Sequence, residues 1–164
     1  MILEESKREY VRYISDHRNN VKSAFNQMKI NCEDILRRYQ IPIYKLRILV
    51  EEHDISKYGK EEFDPYRQRF YPCDGEVYDE KAFEEAWKHH YTNNKHHWNY
   101  WVDMSEDMPP IYVAEMTLDW IAMSMYKGGD AIEWYEQNKK KIKISKESES
   151  LFYELAERYY NISM

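Results

Sequence analysis

Apolar residues recur every three or four positions along most of this sequence, and no stretch alternates convincingly with period two. That spacing gathers apolar side chains on one face of a helix, whereas a half-buried strand needs alternation. Residues 4–30 carry Tyr10, Ile14, Val21, Ala24, Phe25 and Met28 in this pattern. A short helix is expected from Asn31 or Cys32, ending before Pro42. Pro42 then starts a helix with the stripe Leu46, Leu49 and Val50. "KEEFDPYRQRFYP" reads as a short helix interrupted at Pro65, and "CDGEVY" as a turn or loop. Asp79 is placed to cap a helix through "EKAFEEAWKHHYTNN". Pro109 and Pro110 open "IYVAEMTLDWIAMSMYK", which Gly128 and Gly129 close. Two further amphipathic helices run from Asp130 to about Lys143 and from Ser145 to about Tyr160. The expectation is an all-α, single-domain bundle of about six to eight helices.

A chain of 164 residues is long enough to bury a real core in one domain. Four Gly and five Pro argue against a loop-rich or disordered chain. A net charge of −6 gives no support to general nucleic-acid binding, which favours basic patches. Cys32 and Cys73 are the two cysteines and neither has a CxxC neighbour, so neither a disulfide framework nor a thiolate zinc site is expected. "MILEESKREY" is charged almost at once, unlike a secretory signal, and no apolar run approaches the length of a membrane span. The expected setting is cytoplasmic, without a membrane partner. The run "KKKIK" at 139–143 reads as a solvated helix end, with a phosphate-binding patch as the alternative. Phe152, Tyr159 and Tyr160 read either as core or as a homodimer face.

The functional signal lies where ligand-type residues interrupt the apolar stripes. His17 falls on Tyr10–Ile14–His17–Val21–Ala24, and His53 continues Leu46–Leu49–Val50. His90 and Asn94 continue Phe83–Trp87. Asp119 sits between Tyr112–Met116 and Trp120–Met123. Each of the four helices thus puts a polar group on its buried face, where an unpaired charge costs on the order of several kcal/mol. Singly, each has a plain explanation, such as a hydrogen-bonded core histidine or a capping aspartate. Together they suit a divalent cation held between facing helices.

A second cluster, "HHYTNNKHHWNYW", holds four histidines. His90, Asn94 and His97 share a face if the helix continues; a break near Asn93–Asn94 would instead fold His96 or His97 back over the site. His89 lies roughly 100° around the helix from His90 and is the expected bystander. A donor set of His and carboxylate without Cys suits Fe, Mn, Mg, Ni or catalytic Zn, with positions left for water and substrate.

The order His17, His53-Asp54, Asp119 resembles the signature of the HD superfamily of metal-dependent phosphohydrolases. "HDISKYG" is similar to the HD-x-G-K segment of its HD-GYP branch, with Ser56 in place of glycine, and His90 with His96-His97 resembles that branch's additional ligands. "HDISKYGKEEFDPY", "AWKHHYTNNKHHWNYW" and the late "DW" are also similar to a small family of uncharacterised bacterial and phage proteins, over roughly residues 15–135. There is no GYP tripeptide, so cyclic-dinucleotide cleavage does not carry over, and Lys57 replaces the acid of an HD-x-x-E pattern. The resemblance implies an HD-like fold, with one metal on His17, His53, Asp54 and Asp119. A second would use His90 with one or both of His96 and His97, Asp54 bridging. It further implies Lys57 as a phosphate- or nucleophile-positioning group; the alternative is a snorkelling Lys57 paired with Glu61. Asn94 would orient a ligand, bind substrate or cap its helix.

The chemistry implied is metal-assisted hydrolysis of a small phosphate ester, with Lys57 and Arg18 countering the developing charge. Glu61 or Glu62 is spaced for a supporting acid/base role. Some of the sixteen Tyr and five Trp would stack on a nucleobase if the substrate is a nucleotide. The alternatives are a di-iron oxygenase of the HD type and a catalytically inactive metal-containing binding protein.

Overall fold

The structure is a computed structural model that describes residues 1–161. It is all-helical: among the described residues there are nine α-helices and no strand. They are α1 (Leu3–Asn31), α2 (Glu33–Arg38), α3 (Ile43–Glu52), α4 (Phe63–Phe70), α5 (Glu80–Asn93), α6 (Trp98–Asp103), α7 (Pro110–Lys127), α8 (Ala131–Asn138) and α9 (Lys146–Tyr160). Short 3-10 turns cover Ile55–Tyr58 and Lys139–Lys141. No helix is long and apolar enough to cross a membrane among the described residues.

The boundaries follow local chemistry. The carboxylate of Asp79 accepts from the Ala82 N–H at 3.2 Å, Asp130 from Glu133 at 2.8 Å, and the Ser145 hydroxyl from Ser148 at 3.1 Å. Each meets a donor that has no partner inside its helix. Pro110 occupies the first turn of α7, and Gly128, at φ 90°, ends it. Pro65 does not interrupt its segment: it lies in the first turn of α4, where no intrahelical N–H bond is lost. The helix count exceeds expectation because α6 is only six residues long, too short for periodicity to reveal.

At the centre is α7, buried at every position from Val113 to Ala122. α1, α3, α8 and α9 pack against it. Phe152 and Tyr159 face this core, and the Tyr160 hydroxyl accepts from the Ala131 N–H, so these aromatics are internal contacts. A smaller cluster of Tyr10, Ile14, Tyr66 and Ala86 lies beneath α4 and α5. On α1 the stripe passes from the small cluster (Tyr10, Ile14) to the main core (Val21 onward), and His17 stands between them.

The segment after α4 is tied down by Arg67, whose guanidinium is almost fully buried. It donates to both carboxylate oxygens of Glu76 at 2.8 and 2.9 Å, and to Ser6 Oγ at 2.8 Å. The Arg67 hydrogen bonds, with help from the Cys73 backbone N–H, hold the Glu76 carboxyl down at about 2. Its ordinary value is 4.5. A depressed acid stabilises the fold above its unfolded value, and that contribution is lost as pH falls through the folded one. The urea midpoint of the wild type is therefore expected to fall more steeply than that of Glu76→Gln between pH 4.5 and 2. Parallel curves would contradict this role.

Candidate metal centre

The centre is organised by an abrupt stop. α3 ends at Glu52, His53 leaves the helix, and Asp54 adopts left-handed backbone angles, φ 56° and ψ 17°. Such a conformation is sparsely populated outside glycine, although aspartate tolerates it better than most. Two side chains hold it. Arg18 of α1 donates to the carbonyls of Glu51 at 2.7 Å and His53 at 3.0 Å, satisfying α3's free end. Asn94 accepts from the Asp54 N–H at 3.2 Å and donates to Ser56 Oγ and the His90 carbonyl, both at 2.8 Å. Asn94 thus locks the His53-Asp54 turn to the end of α5.

Imidazole Nε2 atoms and carboxylates then converge. His17 Nε2 lies 2.9 Å from Asp119 Oδ1 and 3.5 Å from Asp54 Oδ2. His53 Nε2 lies 3.2 Å from His17 Nε2 and 3.3 Å from Asp119 Oδ1. On the other side of Asp54, its Oδ1 lies 3.3 Å from His90 Nε2 and 3.5 Å from His96 Nε2. Three groups have donor atoms within 4.8 Å of one another; His53, His96 and Glu115 form one, and the two that meet at Asp54 are His17, His53, Asp54 and Asp119, and Asp54, His90, His96 and His97. Asp54 belongs to both.

Buried carboxylates hydrogen-bond the opposite ring nitrogens of His53 and His90 and lie close to that of His96. His53 Nδ1 lies 3.0 Å and His96 Nδ1 3.2 Å from Glu115 Oε1. Glu62, fully buried, meets His90 Nδ1 at 2.6 Å and His89 Nδ1 at 2.7 Å. A carboxylate on Nδ1 keeps the proton there and leaves the Nε2 lone pair facing the centre, an arrangement common around metal-bound histidines.

The charge balance supports a cation. Asp54, Glu62, Glu115 and Asp119 are all buried, against one enclosed ammonium, Lys57. Burial opposes ionisation of Asp54 and Asp119, yet the surrounding imidazoles hold both well below the usual carboxylate range. Burial likewise opposes charging His53, but Asp54, Asp119 and Glu115 outweigh it and push its pKa well up. His97 goes the other way, driven well down by burial and by His96 and His90. Asp54 Oδ1, His96 Nε2 and His97 Nε2 are buried without a hydrogen-bond partner. Such an orphan atom costs roughly 1–3 kcal/mol. A cation between these atoms would satisfy all three, so the residues present fit a metal.

The structure brings His17, His53, Asp54, His90, His96, His97 and Asp119 together. α5 breaks at Asn93–Asn94, and the following turn returns both His96 and His97 to the site. His89 belongs to none of these groups and is about one-third exposed. The Lys57 ammonium meets Asp54 Oδ2 at 3.2 Å rather than Glu61. Arg18 is engaged with backbone carbonyls, and Asn94 both caps α5 and braces the turn. Glu62 has both oxygens committed to histidines, whereas Glu61 is exposed. Sequence reasoning missed Glu115, although it stands one helical turn before Asp119 in an otherwise apolar stretch.

Fold and centre together define a class: an all-α protein with a buried His/carboxylate cluster able to bind metal, open to one cavity. The chain belongs to the family of unknown function DUF5662, whose profile matches residues 6–162. No curated protein and no solved structure matches it.

Removing the orienting carboxylate should loosen metal binding without removing a ligand. Glu115→Gln is expected to weaken Mn or Zn affinity by about 10- to 100-fold in a competition titration with a chelating dye. Unchanged affinity would show that Glu115 only fills space.

Proposed function

We propose that this protein is a metal-dependent hydrolase of phosphate esters. The observation that carries the reading is the sharing of Asp54 between two ligand groups, beside a buried ammonium, on the wall of one cavity. One cation would be held by His17, His53, Asp54 and Asp119, and a second by Asp54, His90, His96 and His97. Divalent Mn, Fe, Mg, Ni or Zn in these positions supplies Lewis acidity toward a phosphoryl oxygen and toward water.

The chain's own residues do the rest. Lys57 is enclosed between the rings of Tyr13 and Tyr66, each 5.8 Å from its Nζ. Burial would strip its proton, but Asp54 outweighs that effect and raises its pKa. It therefore stays an ammonium, suited to neutralise charge developing on a phosphoryl group at the neighbouring centre. The aromatic rings flanking it lower the local dielectric and strengthen that interaction. Glu62 and Glu115 keep His90 and His53 in one tautomer. Both cysteines sit elsewhere: Cys32 is in the main core, where burial pushes its thiol up to about 11, and Cys73 lies against Arg67.

The test is phosphate release from a panel of phosphate esters by protein purified without a His tag and reconstituted with Mn, Fe or Zn. Lys57→Ala is expected to lower kcat by about 10²–10³ while metal content stays unchanged. Absence of turnover in the wild type across panel and metals would contradict the hydrolase reading.

A further inference from the structure

The centre opens on a cavity of about 750 Å³. That volume exceeds what a phosphoryl group needs and lies in the range of sites for whole small molecules. Its walls change character with distance from the metal ligands. The chain carries 30 acidic against 24 basic residues, yet among the described residues the only carboxylates lining this cavity are Asp54 and Asp119 of the centre itself. Away from them the charged wall residues are Lys127 and Lys141. Lys127 follows Asp119 by eight residues on one helix, a separation of roughly 12 Å along the axis. Met123, Tyr126, Trp98 and Trp134 line the space as well.

Lys141 comes from the KKKIK run, which the structure divides. Lys139 pairs with Glu136 at 2.8 Å on the outside, while Lys141 faces the cavity. Among the described residues, the part of the wall away from Asp54 and Asp119 carries two lysines and no carboxylate. It attracts an anion, and the flat walls between accept a ring.

Resting on the hydrolase reading of the same site, we propose that the ligand is a flat aromatic compound with two anionic ends. Its phosphate meets the metal centre and Lys57, the ring lies along Trp98 and Trp134, and the second anion meets Lys127 and Lys141. Two sources share this chemistry: a nucleotide with an acidic base, and a compact aryl phosphate bearing a carboxylate. The cavity volume of about 750 Å³ favours the nucleotide-sized ligand.

The test is equilibrium binding to the metal-reconstituted protein, read by tryptophan fluorescence, in two matched pairs. 5-Carboxyuridine 5′-phosphate is compared with uridine 5′-phosphate, and 4-carboxyphenyl phosphate with phenyl phosphate. Each pair differs by one carboxylate. The acidic member of the nucleotide pair is expected to bind about fivefold more tightly. Lys127→Ala/Lys141→Ala, two exposed substitutions, should abolish that preference. A preference in the aryl pair alone would keep the two-anion rule and assign the compact source. Equal affinity within both pairs, or a preference that survives the double substitution, would overturn the proposal. Because binding is measured apart from turnover, a preference without hydrolysis would overturn the hydrolase reading alone. Hydrolysis without preference would overturn only the second anion site.

Discussion

A carboxylate cannot stay ionised in the middle of a helical bundle unless positive charge surrounds it, and Asp54 is 2% exposed. It lies within 3.6 Å of Nε2 atoms from His17, His53, His90 and His96, and of the Lys57 ammonium. Those groups reach it from α1, from the turn after α3, from α5 and from the segment that follows α5. The position of these elements relative to one another is therefore tied to how one carboxylate is neutralised. Its left-handed backbone is the local consequence. An ordinary helical continuation would carry Asp54 onward with α3, whereas the break places it beside His53 and within reach of Asn94.

The polar centre also explains why the protein has two apolar clusters instead of one continuous core. His17 divides the stripe of α1, and Ala86 in the small cluster gives way to His90 one turn later on α5. The aromatic residues of the small cluster seal one side of the centre, and α7 seals the other. Burial by both lowers the local dielectric and strengthens the electrostatic interactions there. The same enclosure makes imperfect compensation costly, so the histidines need the fixed tautomers that Glu62 and Glu115 impose.

Much of this was legible in the sequence because helices write their buried face at fixed spacing. His17, His53, His90 and Asp119 each broke such a stripe, and their convergence followed from burying all four stripes in one domain. The all-α fold followed from the same periodicity. Other features were not legible, for physical reasons. Glu115 stands four positions before Asp119 on α7, but its hydrogen bond to His53 spans sixty-two positions, which no local pattern reports. The bond from Asp54 to Asn94 joins residues forty positions apart, and no local pattern reports such a pairing. Arg18 had the charge expected of a site residue but caps a neighbouring helix instead. Lys57 has an acid four positions on in Glu61, yet the tight turn after Asp54 folds it back onto the acid three positions before it. Within KKKIK, composition could not tell the lysine that faces the cavity from the one that pairs with Glu136.

The central claim is that the buried cluster is a cation site and not a network held together by protons alone. The most direct measurement is anomalous X-ray diffraction from crystals grown with Mn, recorded on both sides of the metal absorption edge. The account predicts two anomalous peaks flanking the Asp54 carboxylate, one bounded by His17, His53 and Asp119, the other by His90, His96 and His97. Refined density with no anomalous signal in the cluster, and imidazoles paired directly to carboxylates, would contradict it.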